Sequence, residues 1–509
     1  MIGLVTSTLF SVELFARAFG RTGSYWDEAR SLVQTSDGGF VMAGRTNSYG
    51  AGSTDFLVIK LDASGNRVWA KTFGGSSGDE AYSIIQTSDG GYAVVGFTYN
   101  TSTSHDFLII KMSSDGAWQW AKTFGGNYSD QAYSIIQTSD GGYAVTGYVR
   151  NASGYSDFSL LKLGPSGNME WWKAYGGGGN EYLYSLIQTS DGGYALAGYT
   201  YSYGTGGGYE DILVIKLNAS GDTLQWAKTF GGNYSDQAYS IIQTSDGGYA
   251  VTGYVRNASG YSDFSLLKLG PSGNMEWWKA YGGGGNEYLY SLIQTSDGGY
   301  ALAGYTDSFG SGGQDYLIVK LNTSGDTLWT RTFGTSSADQ ARSITQTSDG
   351  GYAIVGMATA TSGYDAMILK ISGEGNYPGC HLRSWAIPSS SPALNTSSPT
   401  PTANSFTLSL SDYIPTVTDV TPTVTDLCTP LYEGTEERSG REKGHGVICV
   451  VRAGGAIFIS TGEMPLRLYA SDGSLIHSSK LRMGENWVPL GSGVYFWRAG
   501  MNEGKTVVR

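Results

Sequence analysis

Short runs of apolar and β-branched residues, broken by Gly, Ser, Asn and Asp, recur along most of this chain. One stretch shows the unit. Tyr82-Ser83-Ile84-Ile85-Gln86-Thr87 is followed, after Asp89-Gly90-Gly91, by Tyr92-Ala93-Val94-Val95-Gly96-Phe97. Next come Asp106-Phe107-Leu108-Ile109-Ile110-Lys111 and, after Ser114-Asp115-Gly116, Trp120-Ala121-Lys122-Thr123-Phe124. Segments this short, rich in β-branched and aromatic residues and punctuated by turn formers, predict strands rather than helices.

The turn between the first two strands carries the strongest repeat. Gln-Thr-Ser-Asp-Gly-Gly-Tyr, with Phe in the last place once, begins at Gln34, Gln86, Gln137, Gln188, Gln243, Gln294 and Gln346. Successive spacings are 52, 51, 51, 55, 51 and 52 residues. Asp-Gly-Gly supplies residues that tolerate positive φ in a tight hairpin. A period near 51 means a solenoid, a propeller or a domain array, and four strands per period is one propeller blade.

Blade counting gives an independent check. The fourth-strand pattern recurs from Trp69, Trp120, Trp171, Trp226, Trp277 and Trp329, and a seventh copy, Phe15-Ala16-Arg17-Ala18-Phe19-Gly20, lies upstream of the first repeat. No fourth strand follows the last third strand, Asp365 to Ile371. The N-terminal strand therefore completes the last blade and closes a ring of seven, removing open edges. Residues 119–200 and 225–306 are identical at all 82 positions, an offset of 106. Copied blades present the same side chains twice, whereas a single catalytic site needs different residues from different blades.

Composition narrows the class. The chain has 509 residues, with 76 Gly, 36 Tyr and only 12 Pro, as in a turn-rich all-β protein. Charged residues make up 15% and the net charge is −12. Such a surface does not recruit nucleic acid or anionic lipid by bulk electrostatics. No run of 18 apolar residues offers a transmembrane helix. Residues 1–12 read as an incomplete signal-like segment: Ile2 to Phe10 is apolar, but a basic start is lacking and Glu13 follows. The three cysteines, Cys380, Cys428 and Cys449, lie outside the repeats; Cys380 and Cys428 either close a disulfide around the segment between them or stay as thiols.

Beyond the expected propeller, residues 13–372, the pattern stops. Residues 373–445 are rich in Ser, Thr and Pro, with Pro415-Thr416-Val417-Thr418-Asp419 repeated as Pro422-Thr423-Val424-Thr425-Asp426, and predict an extended linker or stalk. Residues 446–509 return to strand-like alternation and predict a small β-sandwich-like domain, near the lower size limit for an independent core.

Two resemblances follow from these motifs. The Gln-Thr-Ser-Asp-Gly-Gly-Tyr repeats resemble the propeller repeats of large bacterial surface and secreted proteins. Lys60-Leu61-Asp62-Ala63-Ser64-Gly65-Asn66-Arg67-Val68-Trp69 is similar to the tryptophan-docking motif of quinoprotein propellers. That likeness implies only that Trp69, Trp120, Trp171, Trp226, Trp277 and Trp329 pack between blades, since the vicinal cysteines of the quinoprotein enzymes are missing and that family has eight blades. The C-terminal segment resembles the sorting domain of the type IX secretion system. It does so through Leu466-Arg467-Leu468-Tyr469-Ala470-Ser471-Asp472-Gly473, Gly491-Ser492-Gly493-Val494-Tyr495-Phe496 and Lys505-Thr506-Val507-Val508-Arg509, although the usual Asn-Pro segment at the front is missing. The resemblance implies secretion or display on the outer cell surface, with the secretion machinery as a partner.

Candidate chemistry is sparse. Asp55, Asp106, Asp157, Asp211, Asp263, Asp315 and Asp365 begin the third strands; hydrogen bonding within their own loops is expected, with calcium as the alternative and no other cofactor. Adjacent acids such as Asp27-Glu28 and Asp79-Glu80 do not face one another as a general acid and base must. The loops between strands two and three, and between blades, carry Tyr49, Tyr99, Tyr128, Tyr155, Tyr201, Tyr203, Tyr209, Tyr234, Tyr261 and Phe309 among small polar residues. Rigid rings with small polar neighbours suit recognition of a glycan, polymer or protein. The expectation is a bacterial, non-catalytic binding or adhesion propeller. The alternatives are a propeller enzyme, either a polysaccharide hydrolase or lyase or a quinoprotein-like one, and a structural surface-layer component.

Overall fold

In a computed structural model, each period folds as a four-stranded antiparallel sheet, and seven such sheets are present. The structure describes residues 14–377 apart from 22, 100–103, 205–207, 311 and 360–362, and beyond 377 it describes strand backbone between 389 and 426 and between 447 and 508. The signal-like segment and the Cys380–Cys428 pairing lie outside the described residues. Contacts divide the chain into two units, Met1–Pro430 and Leu431–Arg509.

Blade 1 is built from Asp27–Gln34, Phe40–Thr46, Asp55–Leu61 and Arg67–Gly74, innermost strand first, and blades 2 to 6 follow in chain order. Blade 7 takes three strands from the end of the ring and its fourth, Phe15–Gly20, from the beginning, with Phe15 opposite Lys370 and Phe19 opposite Ala366. The ring of seven closes as the repeats predict. Second and third strands are buried on both faces, and the core lies as separate clusters between neighbouring blades.

Each residue of the repeated motif has a visible task. The glutamine reaches into the preceding blade: Gln86 Oε1 accepts the Ser36 N–H at 2.8 Å, and the same bond recurs around the ring to Ser348 N–H on Gln34. The aspartate receives a lysine from the third strand, as in Lys60 to Asp37 and Lys216 to Asp191, both 2.9 Å, and all seven blades repeat this pair. The lysine is buried and the aspartate is not, so the carboxylate serves as a wet counter-charge for a buried ammonium group. The first glycine adopts φ of about +80°, as at Gly90. The second has no room for a Cβ beside the neighbouring backbone carbonyl, as at Gly91 against Met112. The closing tyrosine is buried edge-on against the fourth-strand tryptophan of the preceding blade: Trp69 meets Tyr92 at 5.9 Å and Trp226 meets Tyr249 at 5.5 Å. Where blade 7 meets blade 1, Phe15 and Phe40 take these places at 5.9 Å. Such pairs contribute roughly 0.5–1.5 kcal/mol beyond the area they bury.

Part of the segment expected to be an extended linker is instead a belt on the rim. Six short strands pair antiparallel with the outermost strands of blades 5, 4, 3, 2, 1 and 7, in that order. Their register is constant: Ser389, Thr396, Ala403, Leu410, Val417 and Val424, seven residues apart, lie opposite Tyr281, Phe230, Tyr175, Phe124, Phe73 and Phe19. The Pro-Thr-Val-Thr-Asp repeat noted in the sequence has this same spacing, so seven residues are one step from blade to blade. Toward the C-terminal end of the belt, Asp412, Asp419 and Asp426 fall opposite Lys122, Lys71 and Arg17 in the ladder. A Ser/Thr/Pro segment with few apolar residues thus finds order by completing sheet edges rather than by burying a core.

The second unit contains seven strands, Val447–Arg452 to Asn502–Val508, in antiparallel sheets of three and four. The expected sandwich packing depends on side chains outside the described residues.

Ending the chain after Tyr377 should expose the outward N–H groups of the outermost strands. Amide hydrogen exchange over Lys71–Gly74 and Lys122–Gly125 is then expected to accelerate by at least about tenfold relative to the full chain. Equal protection in both would show that the belt does not occupy the rim.

Candidate functional site

The innermost strands line the axis, and they begin earlier than their apolar pattern suggests. In blade 2 the strand is Asp79–Gln86, three residues longer at its start than the run from Tyr82, with a register shift between Ala81 and Ser83. All seven innermost strands share this irregularity. It turns the residue four before each motif glutamine toward its counterparts. Those residues are Arg30, Tyr82, Tyr133, Tyr184, Tyr239, Tyr290 and Arg342.

They make a continuous ring around the channel. Tyr82, Tyr133, Tyr184, Tyr239 and Tyr290 contact in sequence at 5.0, 4.7, 5.5 and 4.9 Å between ring centroids. Arg30 lies over Tyr82 at 4.4 Å and Arg342 over Tyr290 at 4.6 Å, so the two cations finish the arc. Glu28 joins them: it accepts from Arg342 Nε at 2.7 Å, and from Arg30 Nε and Arg45 Nε at 3.1 Å each. Burial alone would raise the Glu28 carboxyl, but Arg30, Arg342 and Arg45 outweigh it and bring the pKa to about 2. Glu80 bridges Arg30 and Arg45 at 2.8 and 2.9 Å, and Arg45 stacks on the exposed Trp26 at 4.4 Å. Blades 7, 1 and 2 thus form a charged sector of the channel mouth, and the rest is tyrosine.

The same face carries the loops where the tyrosines were expected. Tyr99, Tyr128, Tyr155, Tyr201, Tyr209, Tyr234 and Tyr261 are exposed there, with Tyr209 and Tyr234 paired at 6.4 Å. Tyr49 and Tyr203 are partly buried, and their hydroxyls donate to the backbone carbonyls of Gly20 and Gly176 at 2.8 and 2.7 Å, which ties both to the fold. Phe309 is partly buried and packs against a blade core. Near Tyr99, His105 contacts Tyr99 and Phe97 edge-on at 4.7 and 4.6 Å, and burial lowers its pKa. A cleft of about 450 Å³ opens between blades 4, 5 and 6, lined by Glu210, Tyr254, Arg256, Tyr261, Asn286 and Tyr288.

The third-strand aspartates do not gather into one site. Each lies in its own blade junction beside the glycine that ends the fourth strand, where a Cβ would collide with the carboxylate, as at Gly74 and Asp55. The own-loop bonds expected of them are made by Asp55, which accepts from Ala51 N–H at 2.9 Å and Gly52 N–H at 3.2 Å. A second acid joins each junction from the next innermost strand: Asp79, Asp130, Glu181, Asp236, Glu287, Asp339 and, at the closure, Asp27. The equivalent of Asp27 and Asp79 in blade 4 is therefore Glu181, opposite Thr200 as Asp27 is opposite Thr46. Every blade carries a carboxylate at this position, seven residues before its motif glutamine. Asp79 and Asp130 accept N–H bonds from Gly75 and Gly126 at 2.8 Å, bracing the inter-blade loops. Among the described residues, no group of three or more His, Cys, Asp or Glu side chains is arranged to hold a metal ion. No helix among them is long and apolar enough to cross a membrane.

Comparison with known proteins adds little. No family model matches the chain, and no curated protein matches it. Among solved structures, Sqt1 from Chaetomium thermophilum is 10% identical over 68% of this chain and 82% of its own, with a TM-score of 0.39. The Pan2 WD40 domain of Neurospora crassa is 8% identical over 57% and 88%, at 0.36. PorZ of Porphyromonas gingivalis, described as a bacterial surface component of the type IX secretion system, is 8% identical over 97% and 100%, at 0.15. At these scores none carries an argument about function; the propeller rests on the strand pairing itself.

Burial raises the carboxyls of Asp79 and Asp365 to about 6 and of Asp130 and Asp236 to about 7, from an ordinary value of 3.8. The folded chain therefore holds protons that the unfolded chain has already lost, and stability falls as pH rises from about 4 through 7. Turn carboxylates such as Asp89 act oppositely: burial would raise it, but bonds from Lys111 and Thr87 outweigh that and bring it to about 2, so their support is lost only in stronger acid. The thermal midpoint is expected to be higher at pH 5 than at pH 8. A midpoint that rises with pH across this range would refute the junction assignment.

Proposed function

We propose that this chain is a non-catalytic binding protein displayed outside a bacterial cell, whose tyrosine-bearing face holds a glycan or similar polymer. The observation that carries this reading is the concentration of exposed tyrosines on one face of a closed ring, beside a channel mouth that is itself ringed with tyrosine. Aromatic rings offer flat contact area at low entropic cost, and the small polar residues around them supply hydrogen bonds. Glu28, the most enclosed acid at the channel mouth, is committed to three guanidiniums and stays ionised, so it cannot shuttle a proton near neutrality. The charged sector supports anchoring of the ring more than bond cleavage. Display outside the cell is supported by the resemblance of residues 446–509 to a type IX sorting domain, with the secretion machinery as partner.

Binding is tested with the full chain on immobilised cellulose, xylan, mannan and peptidoglycan. Saturable retention on at least one is expected, weakened about tenfold when Tyr209 and Tyr234 are both replaced by Ala, a loss of roughly 1.4 kcal/mol. Retention unchanged by the double substitution would move the site off these loops, and no retention on any of them would refute the reading.

Export is tested separately. Deleting residues 447–509 should leave the protein in the periplasm of a host that has the type IX system. Undiminished appearance in the medium or on the surface would refute the sorting role.

A further inference from the structure

The internal duplication places the residues of one surface feature a second time, two blades away. The cleft of about 450 Å³ takes Tyr254, Arg256 and Tyr261 from blade 5 and Asn286 and Tyr288 from blade 6. Each of these has an identical copy 106 positions earlier: Tyr148, Arg150, Tyr155, Asn180 and Tyr182.

The geometry is copied with the residues. Arg256 Nε donates to Gly260 O at 3.1 Å, and Arg150 Nε to Gly154 O at 2.9 Å. The side-chain carbonyl of Asn286 accepts the Ser262 N–H at 3.0 Å, and that of Asn180 accepts the Ser156 N–H at 2.8 Å. Tyr254 and Tyr288 pack at 5.0 Å and 71°, Tyr148 and Tyr182 at 4.9 Å and 72°. Tyr261 is 42% exposed and Tyr155 43%.

One wall is not copied. The cleft at blade 5 is flanked by Glu210 and its counterpart at blade 3 by His105; both backbone carbonyls accept the N–H of the next innermost acid at 2.7 Å, which fixes their equivalence. The Glu210 carboxylate receives the Tyr201 hydroxyl at 2.5 Å and faces the cleft as an acceptor.

We infer that the two clefts are paired subsites, two blades apart on one face, which seat the same unit of a repeating neutral glycan. This rests on the binding reading above and goes further, in naming the ligand class and the valency. A polymer of one repeated unit offers the same group twice along a flexible chain, whereas a folded protein would have to display one patch in two places. Ring faces beside amide, hydroxyl and guanidinium donors suit a sugar with vicinal hydroxyls. The Glu210 carboxylate accepts from hydroxyls and repels acidic sugars, in a chain already at −12. Two tethered weak contacts gain affinity by effective concentration without any new contact being made.

The test titrates the full chain calorimetrically with neutral gluco- and manno-oligosaccharides of increasing length, and with their parent polymers. Wild type is compared with Tyr155→Ala, Tyr261→Ala and the double variant; both side chains are exposed, so folded yield should not change. Two short oligosaccharides per chain are expected for wild type, one for either single variant and none for the double. The polymer should bind about 100-fold more tightly than the short oligosaccharide, and either single variant should remove that advantage. One oligosaccharide per chain in wild type, or a stoichiometry indifferent to the two tyrosines, would overturn the paired subsites and leave the binding reading standing. Silence toward these probes together with retention on peptidoglycan would overturn the neutral-glycan assignment. Silence toward every probe and every immobilised polymer would overturn both.

Discussion

Each blade must offer its successor the surface that its predecessor offered it, seven times, and the last offer must meet the first residues of the chain. That requirement is what the repeated heptapeptide satisfies. The glutamine carbonyl on a neighbouring serine N–H, worth about 1 kcal/mol where partly exposed, sets the angular step between blades. The tyrosine behind a tryptophan sets their separation. The lysine beneath the turn holds the hairpin against its own third strand. Closure then comes from the same three contacts, with Phe15 and Phe40 substituting where the chain's beginning stands in for a repeat.

Much of this could be read from the residues, because the motif is local and its period regular. Seven glutamines gave seven blades, and the orphaned fourth-strand pattern at Phe15 gave the closure. The channel ring could not be read in the same way. Arg30, Tyr82 and their equivalents look like ordinary strand residues, and the bulge after Ala81 interrupts the simple alternation from which their facing could be read. Their constant position, four before the motif glutamine, was the available signal. The belt escaped for another reason. Apolar periodicity is the usual guide, and a strand that adds to an exposed edge needs hydrogen bonds more than apolar side chains; the repeat of Pro415–Asp419 at seven residues was visible, but its meaning lay in the rim it follows. Among the loop tyrosines, composition could not separate Tyr49 and Tyr203, whose hydroxyls serve the backbone, from Tyr155 and Tyr261, which stand clear of it.

The channel mouth is divided along the same line as the sequence. Every copied blade gives the ring a tyrosine and blade 2 adds Tyr82, whereas both arginines come from the unique blades 1 and 7. A carboxylate bound by three guanidiniums is costly to desolvate and costly to disturb, which suits the place where blades 7 and 1 must find one another, and Glu80 of blade 2 bridges two of the same arginines. Uniform blades then carry the repeated tyrosine loops, and the irregular ones carry the seam.

The identity of residues 119–200 and 225–306 has a consequence for how the chain reaches this state. Blade 3 and blade 5 display the same faces, so a growing chain that docks one in place of the other makes every local contact correctly and omits 106 residues as a looped-out excursion. Neither hydrophobic burial nor hydrogen bonding at the junction distinguishes these two threadings. Time and topology do: emergence from the ribosome in chain order favours the nearer partner, and a shortened ring brings Glu28 and Arg342 together only with different curvature. The native seven-fold arrangement is in this sense selected by order of synthesis and by the circumference it must close, rather than by the strength of any single blade-to-blade fit.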